Sequence, residues 1–211
     1  MATQFLDDEA RAAFKRAVEA VEDASAVEVV VAVRRRSAAY RHANVVVGAV
    51  VAFAGLATTL FSSHTFELIS ILVDPFVVGL LAGATVELLP ALKRVLTPRT
   101  TRHAIVTRAA RATFVERGVH NTTGRSGLLV YISWLEQQVA LVADSRLARV
   151  LPDGDLARAE AELTAAMPAG GAAVARTVEA LAGALAEAMP HRDDDVNELP
   201  DAIDSDLERR K

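Results

Sequence analysis

The 211-residue sequence predicts an α/β (α+β) fold, in which helices flank a small mixed β-sheet and a hairpin of two transmembrane helices is inserted. Three short runs rich in β-branched residues have the length of strands, and amphipathic segments precede and follow them. Two longer apolar runs lie between the first strand and the next amphipathic helix. Hydrophobic residues form 52% of the chain and aromatic residues only 5%, which is typical of membrane spans and of Ala-rich helices.

The first two elements are a helix and a strand. Residues 8–23 carry apolar side chains at helical spacing, and Asp7 or Asp8 is available to cap this helix at its N-terminus. Residues 27–33 are a β-branched run of strand length that ends at the three arginines 34–36. We therefore expect the first strand to lead directly to the membrane.

The two apolar runs predict a transmembrane helical hairpin at residues 44–93. Residues 45–61 contain no charge, and as a helix they would extend roughly 26 Å, which almost spans a hydrocarbon core of about 30 Å. The second run is interrupted by Asp74 and Pro75, so we expect its spanning part to be residues 76–92. The alternative is a hydrophobic hairpin packed inside a soluble core.

Basic residues on both sides of the hairpin favour the membrane. The arginines 34–36 and Arg41 precede it, and the connecting residues 62–74 contain neither Lys nor Arg. The basic residues that follow it are Lys93, Arg94, Arg99 and Arg102. Cytoplasmic flanks of membrane helices are enriched in Lys and Arg. We therefore expect the chain in the inner (cytoplasmic) membrane with both termini cytoplasmic and the connecting loop outside.

Two features inside the hairpin concern packing and charge. Gly48, Gly55, Gly79 and Gly83 are small enough to let the two helices approach closely. Glu87 is the one acidic residue of the second predicted span. We expect it to reach the interface or to pair with a basic neighbour, and a proton relay or ion site is the alternative.

A helix and a β-hairpin follow the membrane segment. Residues 101–117 predict a helix that Gly118 ends. Gly127–Ser133 and Gln138–Ala143 are strand candidates, and the short connection between them predicts an antiparallel pair. The first strand should pair in parallel with this hairpin across the crossover, which gives a mixed sheet.

The C-terminal part is predicted to be helical and then irregular. Residues 155–167 and 172–189 have helical periodicity, and Pro and Gly residues separate them. The tail at residues 191–211 is acidic, and we expect it to be mostly solvated. The cytoplasmic domain is therefore discontinuous and comprises residues 1–43 and 94–190.

Composition and spacing exclude several kinds of chemistry. The chain has no cysteine, which excludes disulfides, thiolate metal ligands and cysteine nucleophiles. Its five histidines are dispersed, so a histidine-based zinc site is not expected. The formal net charge is −4 and the basic residues lie beside apolar runs, so we expect no nucleic-acid partner. The N-terminus lacks the features of a cleavable signal peptide.

Several stretches carry a likeness to a known family. They are residues 26–33 followed by Arg34, Ser37 and Tyr40, residues 108–114, 123–133, Leu135 with Glu136, residues 142–144, and residues 194–201. In these stretches and in element order the chain resembles bacterial membrane proteins of the TPM-domain (phosphatase-like) family. The resemblance implies a TPM-like α/β sandwich with the hairpin inserted after the first strand. It also implies acid phosphatase activity, binding of divalent metals, or maintenance and assembly of membrane protein complexes.

Acidic residues are the candidate metal ligands, since carboxylate oxygens suit calcium or magnesium. The candidates are Glu136, Asp144, Asp194, Glu198 and Asp201. The tail lacks the central glycine of an EF-hand loop, and a solvated acidic tail is the alternative interpretation. The resemblance adds a third possibility, in which Asp194, Asn197, Glu198 and Asp201 form a segment that docks on the domain or on a partner.

Polar residues at the membrane junctions form a second candidate group. The candidates for contact with the membrane interface or with a partner are Arg34, Ser37, Tyr40, Arg41, Lys93 and Arg94. Arginine can contact anionic headgroups, and tyrosine favours the interface. Anchoring explains this group without catalysis, and the catalytic residues, if there are any, are unknown.

The leading hypothesis is a binding, assembly or maintenance factor for a membrane protein complex, because the sequence has a hairpin anchor without a convergent active site. Its expected partners are the lipid bilayer and another membrane protein or complex, and a homo-oligomer is a further possibility. The alternative is a metal-dependent acid phosphatase acting on phosphomonoesters, which follows from the resemblance alone.

Overall fold

The computed structural model of the protein describes residues 2–191, 198–199 and 202–207. The chain divides into two compact units, one made of Met1–Ser37 with Arg102–Lys211 and the other of Ala38–Thr101. We call the first unit the domain and the second the hairpin unit. The hairpin unit extends beyond the predicted insertion at both ends, because its first helix begins at Arg41 and a short further helix follows the hairpin.

Most of the described elements are helices, which occur in runs between the short strands. In chain order they are α1 (Ala2–Phe5), α2 (Asp8–Ala24), β1 (Glu28–Arg34), α3 (Arg41–Phe61), α4 (Leu68–Thr85), α5 (Pro90–Leu96), α6 (Arg99–Glu116), β2 (Gly127–Ser133), β3 (Gln138–Ala143), α7 (Leu147–Val150), α8 (Asp155–Ala166), α9 (Gly171–Glu179), α10 (Ala182–Ala188) and β4 (Asp204–Ser205). Short 3₁₀ turns follow α4, α6 and α8.

The predicted mixed sheet is confirmed. Its strand order is β3-β2-β1-β4, in which β1 pairs in parallel with β2 and with β4, and β2 pairs antiparallel with β3. All five residues inside β1, from Val29 to Val33, are buried. A nearly continuous apolar run is expected of a parallel strand that is covered on both faces.

Helices cover the two faces of the sheet with separate apolar clusters. Val29 and Val31 face the larger cluster, which includes Phe14 of α2. Val30 faces the smaller cluster, which includes Val106 of α6. This alternation follows from the two-residue period of a strand, so the valine run can serve both clusters.

Local signals set the ends of the domain helices. The side chain of Asp7 accepts a hydrogen bond from the Ala10 N–H at 2.9 Å and caps α2 as predicted. Gly118 follows α6 with φ 67° and ends the helix, also as predicted. The predicted helix at 172–189 is divided into α9 and α10, because the Leu181 N–H bonds the carbonyl of Val178 in a tighter turn.

The two long helices of the hairpin unit pack through glycine. A Cβ atom on Gly79 would lie 2.7 Å from the Cβ of Ala52, and a Cβ on Gly48 would lie 2.9 Å from the Gly79 carbonyl oxygen. Only glycine fits at such close approaches. The predicted role of these glycines in helix packing is therefore confirmed.

The second helix differs from its predicted bounds. It begins at Leu68 instead of residue 76, because Pro75 does not interrupt it. The proline packs on the first helix, where a Cβ atom on Gly55 would lie 3.3 Å from the proline Cβ. The helix ends at Thr85 instead of residue 92, since Pro90 lacks an N–H and starts the separate helix α5.

Both hairpin helices are long and apolar enough to cross a membrane. Arg41–Phe61 and Leu68–Leu88 each contain 21 residues with a mean hydropathy of 2.0. Within the most apolar window, 0% of the first helix and 22% of the second are buried inside the protein. These helices therefore differ from the core helices of a soluble protein, which are mostly buried.

The C-terminal tail corrects one prediction. Residues 203–206 are half-buried and Leu207 is buried, instead of mostly solvated as expected, because β4 lies in this stretch and Leu207 joins the larger apolar cluster. Asp194 and Asp201, two of the predicted metal ligands, lie outside the described residues, as does Asn197.

Candidate functional site

Polar side chains converge at the carboxyl ends of β1 and β2, inside the domain. Tyr131 and Ser133 lie on β2, and Glu136 lies in the turn that follows it. Ser37 comes three residues after β1, and Arg102 belongs to α6. We call these five residues the junction cluster.

Glu136 is the centre of the junction cluster. It is 0% exposed, and each of its carboxylate oxygens accepts a hydrogen bond. Oε1 lies 2.9 Å from the backbone N of Ser37, and Oε2 lies 2.5 Å from the Ser133 Oγ. Since burying a carboxylate is costly unless it is hydrogen-bonded, these two donors are what make its burial tolerable.

Three hydroxyl groups extend the cluster from the carboxylate. The Ser37 Oγ lies 2.7 Å from the Ser133 Oγ and 3.2 Å from the Tyr131 phenolic oxygen. Burial raises the pKa of Tyr131 above its usual value of 10.0, although the hydrogen bond to Ser37 and the charge of Arg34 oppose this. Tyr131 is therefore a neutral hydrogen-bonding group at physiological pH.

The junction cluster contains the two residues at which the chain leaves the domain and returns to it. Ser37 is the last residue of the domain before the inserted unit, and Arg102 is the first residue after it. The Ser37 N–H donates to the Glu136 carboxylate, and the Arg102 guanidinium donates to the Glu136 carbonyl oxygen at 2.5 Å. One buried residue of the β2–β3 turn thus binds both chain junctions.

Backbone hydrogen bonds reinforce the first junction. The Trp134 N–H donates to the Arg34 carbonyl at 2.9 Å, and the Leu135 N–H donates to the Arg35 carbonyl at 3.0 Å. These bonds continue the pairing of β1 with β2 beyond the end of both strands. The chain that leaves β1 is therefore fixed for the distance of several residues before the hairpin unit begins.

The predicted metal ligands do not form one site among the described residues. Glu136 and Asp144 lie at opposite ends of the six-residue strand β3, roughly 20 Å apart. The Asp144 Oδ1 accepts the Ser145 N–H at 2.5 Å, whereas its buried Oδ2 has no partner among the described residues. In this part of the chain, no three His, Asp or Glu side chains are grouped to hold a metal. The described residues thus do not fit a shared calcium or magnesium site.

Glu198 has a structural environment of its own. Both of its carboxylate oxygens lie 3.1 Å from the backbone N of Thr123, just before β2. The backbone N–H of Glu198 donates to the Glu28 carboxylate at 3.1 Å, and the Leu199 N–H donates to it at 2.9 Å. Glu198 therefore attaches the tail to the start of β1.

The predicted membrane-interface residues fall into both units. Arg34 ends β1 and Ser37 belongs to the junction cluster, whereas the remaining four residues lie in the hairpin unit. Tyr40 is buried and its ring packs edge-on against His42, with ring centroids 5.9 Å apart. Arg41 is the first residue of α3.

Lys93 and Arg94 differ in what they can contact. Lys93 is buried, and its Nζ lies 2.6 Å from the Glu87 Oε2, so the expected pairing of Glu87 with a basic neighbour is confirmed. Glu87 also accepts a hydrogen bond from the Asn44 side chain at 3.3 Å. Arg94 is half-buried on α5. Of the two, Lys93 is committed to a contact inside the hairpin unit.

Three members of the junction cluster were not among the predicted site residues. Arg102, Tyr131 and Ser133 come together with Ser37 only after the chain has folded. One sequence signal was available, because Ser133 and Glu136 have the Ser-x-x-Glu spacing of a capping box. No helix follows this pair, and the spacing instead lets the serine hydroxyl bond the carboxylate across the turn.

Comparison with known proteins identifies a protein of similar fold but no family to which the chain belongs. The chain is similar to the BA42 protein of the psychrophilic bacterium Bizionia argentinensis, known from an NMR structure, with a TM-score of 0.57. The sequences are 16% identical, and the match covers 95% of each chain. At this identity the similarity concerns the fold alone. No family model matches the sequence, and no curated protein sequence matches it.

Proposed function

We propose that the protein is a membrane-anchored binding factor that assembles or maintains a membrane protein complex from the cytoplasmic face of the inner membrane. The observation that carries the proposal is the hairpin unit, which is inserted between β1 and α6 and leaves its apolar side chains uncovered. Phe53, Phe61 and Leu80 are 75%, 88% and 75% exposed. Apolar surface of this extent is covered by lipid or by a partner in a working protein.

The distribution of charge supports the orientation. Arginines 34–36 and Arg41 precede the first long helix, and Lys93 and Arg94 follow the second, whereas residues 62–74 between them contain no Lys or Arg. A hairpin with this pattern inserts with both ends on the cytoplasmic side. The domain, which continues from both ends, would then face the cytoplasm.

The junction cluster argues against Glu136 as a catalytic group. Its carboxylate is fully buried, and protein donors already occupy both oxygens. A general base or nucleophile must reach its substrate. Glu136 instead holds Ser37 and Arg102, the residues from which the chain continues into the hairpin unit.

Copurification tests this proposal. The tagged chain is extracted from its native membrane in a mild detergent, and the proposal predicts a membrane protein in constant ratio to it. The matched variants are Gly79→Leu, which disrupts the close packing of α3 on α4, and Gly183→Leu, where a Cβ atom meets nothing within 4 Å. Only the Gly79 variant should lose the partner. Isolation of the native chain without any stoichiometric membrane protein would contradict the proposal.

Phosphatase activity stays a prediction from the family resemblance. The assay uses the purified full chain on a phosphomonoester, with and without calcium or magnesium. Glu136→Ala and Asp144→Ala serve as variants, since these positions were predicted to bind the metal. Metal-dependent turnover of the native chain that is lost in the Asp144 variant, and in the Glu136 variant under conditions where its domain is still folded, would make an enzyme a better account than a binding factor.

A further inference from the structure

The sheet has two edges among the described residues, and they are closed in different ways. At the β3 edge, side chains of α8 take up the outward N–H groups of the strand. The Val139 N–H donates to the Thr164 hydroxyl at 3.0 Å, and the Leu141 N–H donates to the Glu160 carboxylate at 3.1 Å. A strand edge whose donors are already bonded to a helix has little capacity to pair with another strand.

The β1 edge is closed by a piece of the chain's own tail. We call residues 202–207 the strap. Within the strap, β4 pairs in parallel with only Ala32 and Val33 of β1. The Asp206 N–H continues the pairing to the Val33 carbonyl at 3.3 Å. At the start of β1 the Glu22 carboxylate accepts the Val29 N–H at 3.1 Å. Among the described residues, strand pairing at this edge lies at the carboxyl end of β1.

Acidic side chains hold the strap in place. The Asp204 carboxylate forms ion pairs with Arg34 and with Arg117. The Asp206 carboxylate accepts a hydrogen bond from the Arg35 backbone N–H at 2.6 Å. These contacts come from the carboxyl end of β1 and the end of α6, and they select an acid at two positions of the strap.

Apolar side chains on either side of the acids complete the contact. Leu207 is buried in the larger apolar cluster, and Ile203 packs against the same cluster. In extended conformation, residues 203–207 of the strap thus follow the order apolar, acidic, any residue, acidic, apolar. We call Ala32, Val33, Arg34, Arg35 and Arg117 the strap site, since they receive this pattern.

We propose that the strap site binds an extended acidic segment of a partner protein, and that the strap occupies the site in the free protein. Addition of a strand to a sheet edge is a common mode of peptide recognition, in which backbone bonds give affinity and side chains give specificity. Charge complementarity selects the occupant, because displacing the strap exposes two arginine side chains. The proposal names the surface through which the assembly factor would bind its partner. It rests on the proposed function in one respect only, which is that the partner belongs to a membrane complex.

The ion pairs of the strap are open to exchange. The side chains of Arg34, Arg117 and Asp204 are 18%, 49% and 19% exposed, so solvent reaches them. Ion pairs in contact with solvent contribute little net stability, because water and other carboxylates compete for them. An incoming segment can therefore take over the arginines one at a time. The short strand pairing, the hydrogen bond from the Arg35 N–H to Asp206 and the apolar contacts of Ile203 and Leu207 then still hold the strap.

Peptide titration on the full chain in detergent micelles tests the proposal without any native partner, so its outcome is separable from the copurification experiment. The probe is a fluorescein-labelled peptide with the sequence of residues 198–207. The open variant combines Asp204→Lys with Leu207→Ala in the chain. It should bind the probe about tenfold or more tightly than the native chain, whose site is free for only a fraction of the time. A probe with lysine in place of Asp204 should not bind.

Three results would overturn the proposal. The first is equal binding of the probe by the native chain and the folded open variant, and the second is equal binding of the charge-reversed probe. The third is a concentration-dependent dimer that the native chain forms and the open variant does not. That result would mean that the strap of a second copy of this chain occupies the strap site.

Hydrogen exchange on the native chain keeps the test valid if the open variant does not fold. The Asp206 amide should exchange through a local opening, roughly a hundredfold faster than the Leu129 amide in the core. Equal protection of the two amides would mean that the strap opens only when the domain unfolds, which would also overturn the proposal.

Discussion

Replacement of Glu136 is the perturbation from which the structure allows the sharpest prediction. In Glu136→Ala the half-buried Ser37 N–H and the fully buried Ser133 hydroxyl lose the carboxylate that accepts their hydrogen bonds. A buried group that loses its partner costs about 1–3 kcal/mol, so the domain should lose about 2–5 kcal/mol of unfolding free energy. That is a large part of the stability of a typical domain.

Glu136→Gln is the matched control. It keeps the shape of the side chain and one acceptor oxygen for the Ser37 N–H, while its amide N replaces the oxygen that faces Ser133. The Ser133 hydroxyl then has to accept a hydrogen bond, and it can donate its proton to the Ser37 Oγ 2.7 Å away. We expect a loss of about 1–2 kcal/mol, since the network is rearranged and one charge-assisted bond is removed.

Urea unfolding of the full chain in micelles measures both variants. Trp134 is the one tryptophan of the chain, it lies two residues before Glu136, and its fluorescence reports on this site. Loss of stability should follow the order native, Gln, Ala. A free energy for Glu136→Ala within about 0.5 kcal/mol of the native value would refute the view that this carboxylate holds the junctions, because only surface positions tolerate substitution so well.

Three further predictions concern titration, packing and capping. Because burial raises the pKa of Tyr131, the native unfolding free energy should decline as the pH rises above 10.0, where the unfolded chain ionises first, and Tyr131→Phe should flatten the decline. An unchanged slope in urea unfolding between pH 9 and 11 would contradict this. Gly79→Ala should lower the melting temperature of the hairpin in micelles, since its Cβ would lie 2.7 Å from that of Ala52, whereas Gly183→Ala should not. Equal melting of the two variants would argue against tight packing. Asp7→Ala should cost about 1 kcal/mol by removing the cap of α2, and a smaller change than about 0.3 kcal/mol would contradict the capping role.

Much of the fold could be predicted from local patterns. The strands Gly127–Ser133 and Gln138–Ala143 have the predicted bounds, because β-branched residues and a short turn mark them clearly. The parallel pairing of β1 with β2 follows from the handedness and length of the crossover. These features depend on residues that are near one another in the sequence or on general rules of topology.

The tail could not be predicted in the same way. Asp204 and Ser205 have low strand propensity, and nothing near them in the sequence suggests a strand. They form β4 because Arg34 and Arg117 bind the Asp204 carboxylate and β1 offers an unpaired edge. The bounds of the second hairpin helix were missed for a related reason, since Pro75 is accommodated by Gly55 of the facing helix.

The candidate site was predicted only in part. The sequence predicts Ser37 as an interface residue and Glu136 as a metal ligand, but it does not predict the contact between them. Their link depends on the position of a turn that lies 99 residues further along the chain. In the sequence, Arg102 is one of the basic residues that follow the hairpin, and nothing nearby indicates its contact with Glu136. Burial of a carboxylate between two chain junctions becomes evident only in three dimensions.

Cysteine accessibility tests the central claim most directly, because the native chain contains no cysteine. Ser63→Cys places a thiol in the exposed connection between α3 and α4, and Lys15→Cys places one on the domain, where the native side chain is 67% exposed. Intact cells with a permeabilised outer membrane are treated with a membrane-impermeant maleimide. The account predicts labelling of the Ser63 variant in intact cells and of the Lys15 variant only after lysis. Labelling of the Lys15 variant in intact cells, or release of the chain from membranes by alkaline carbonate, would contradict it.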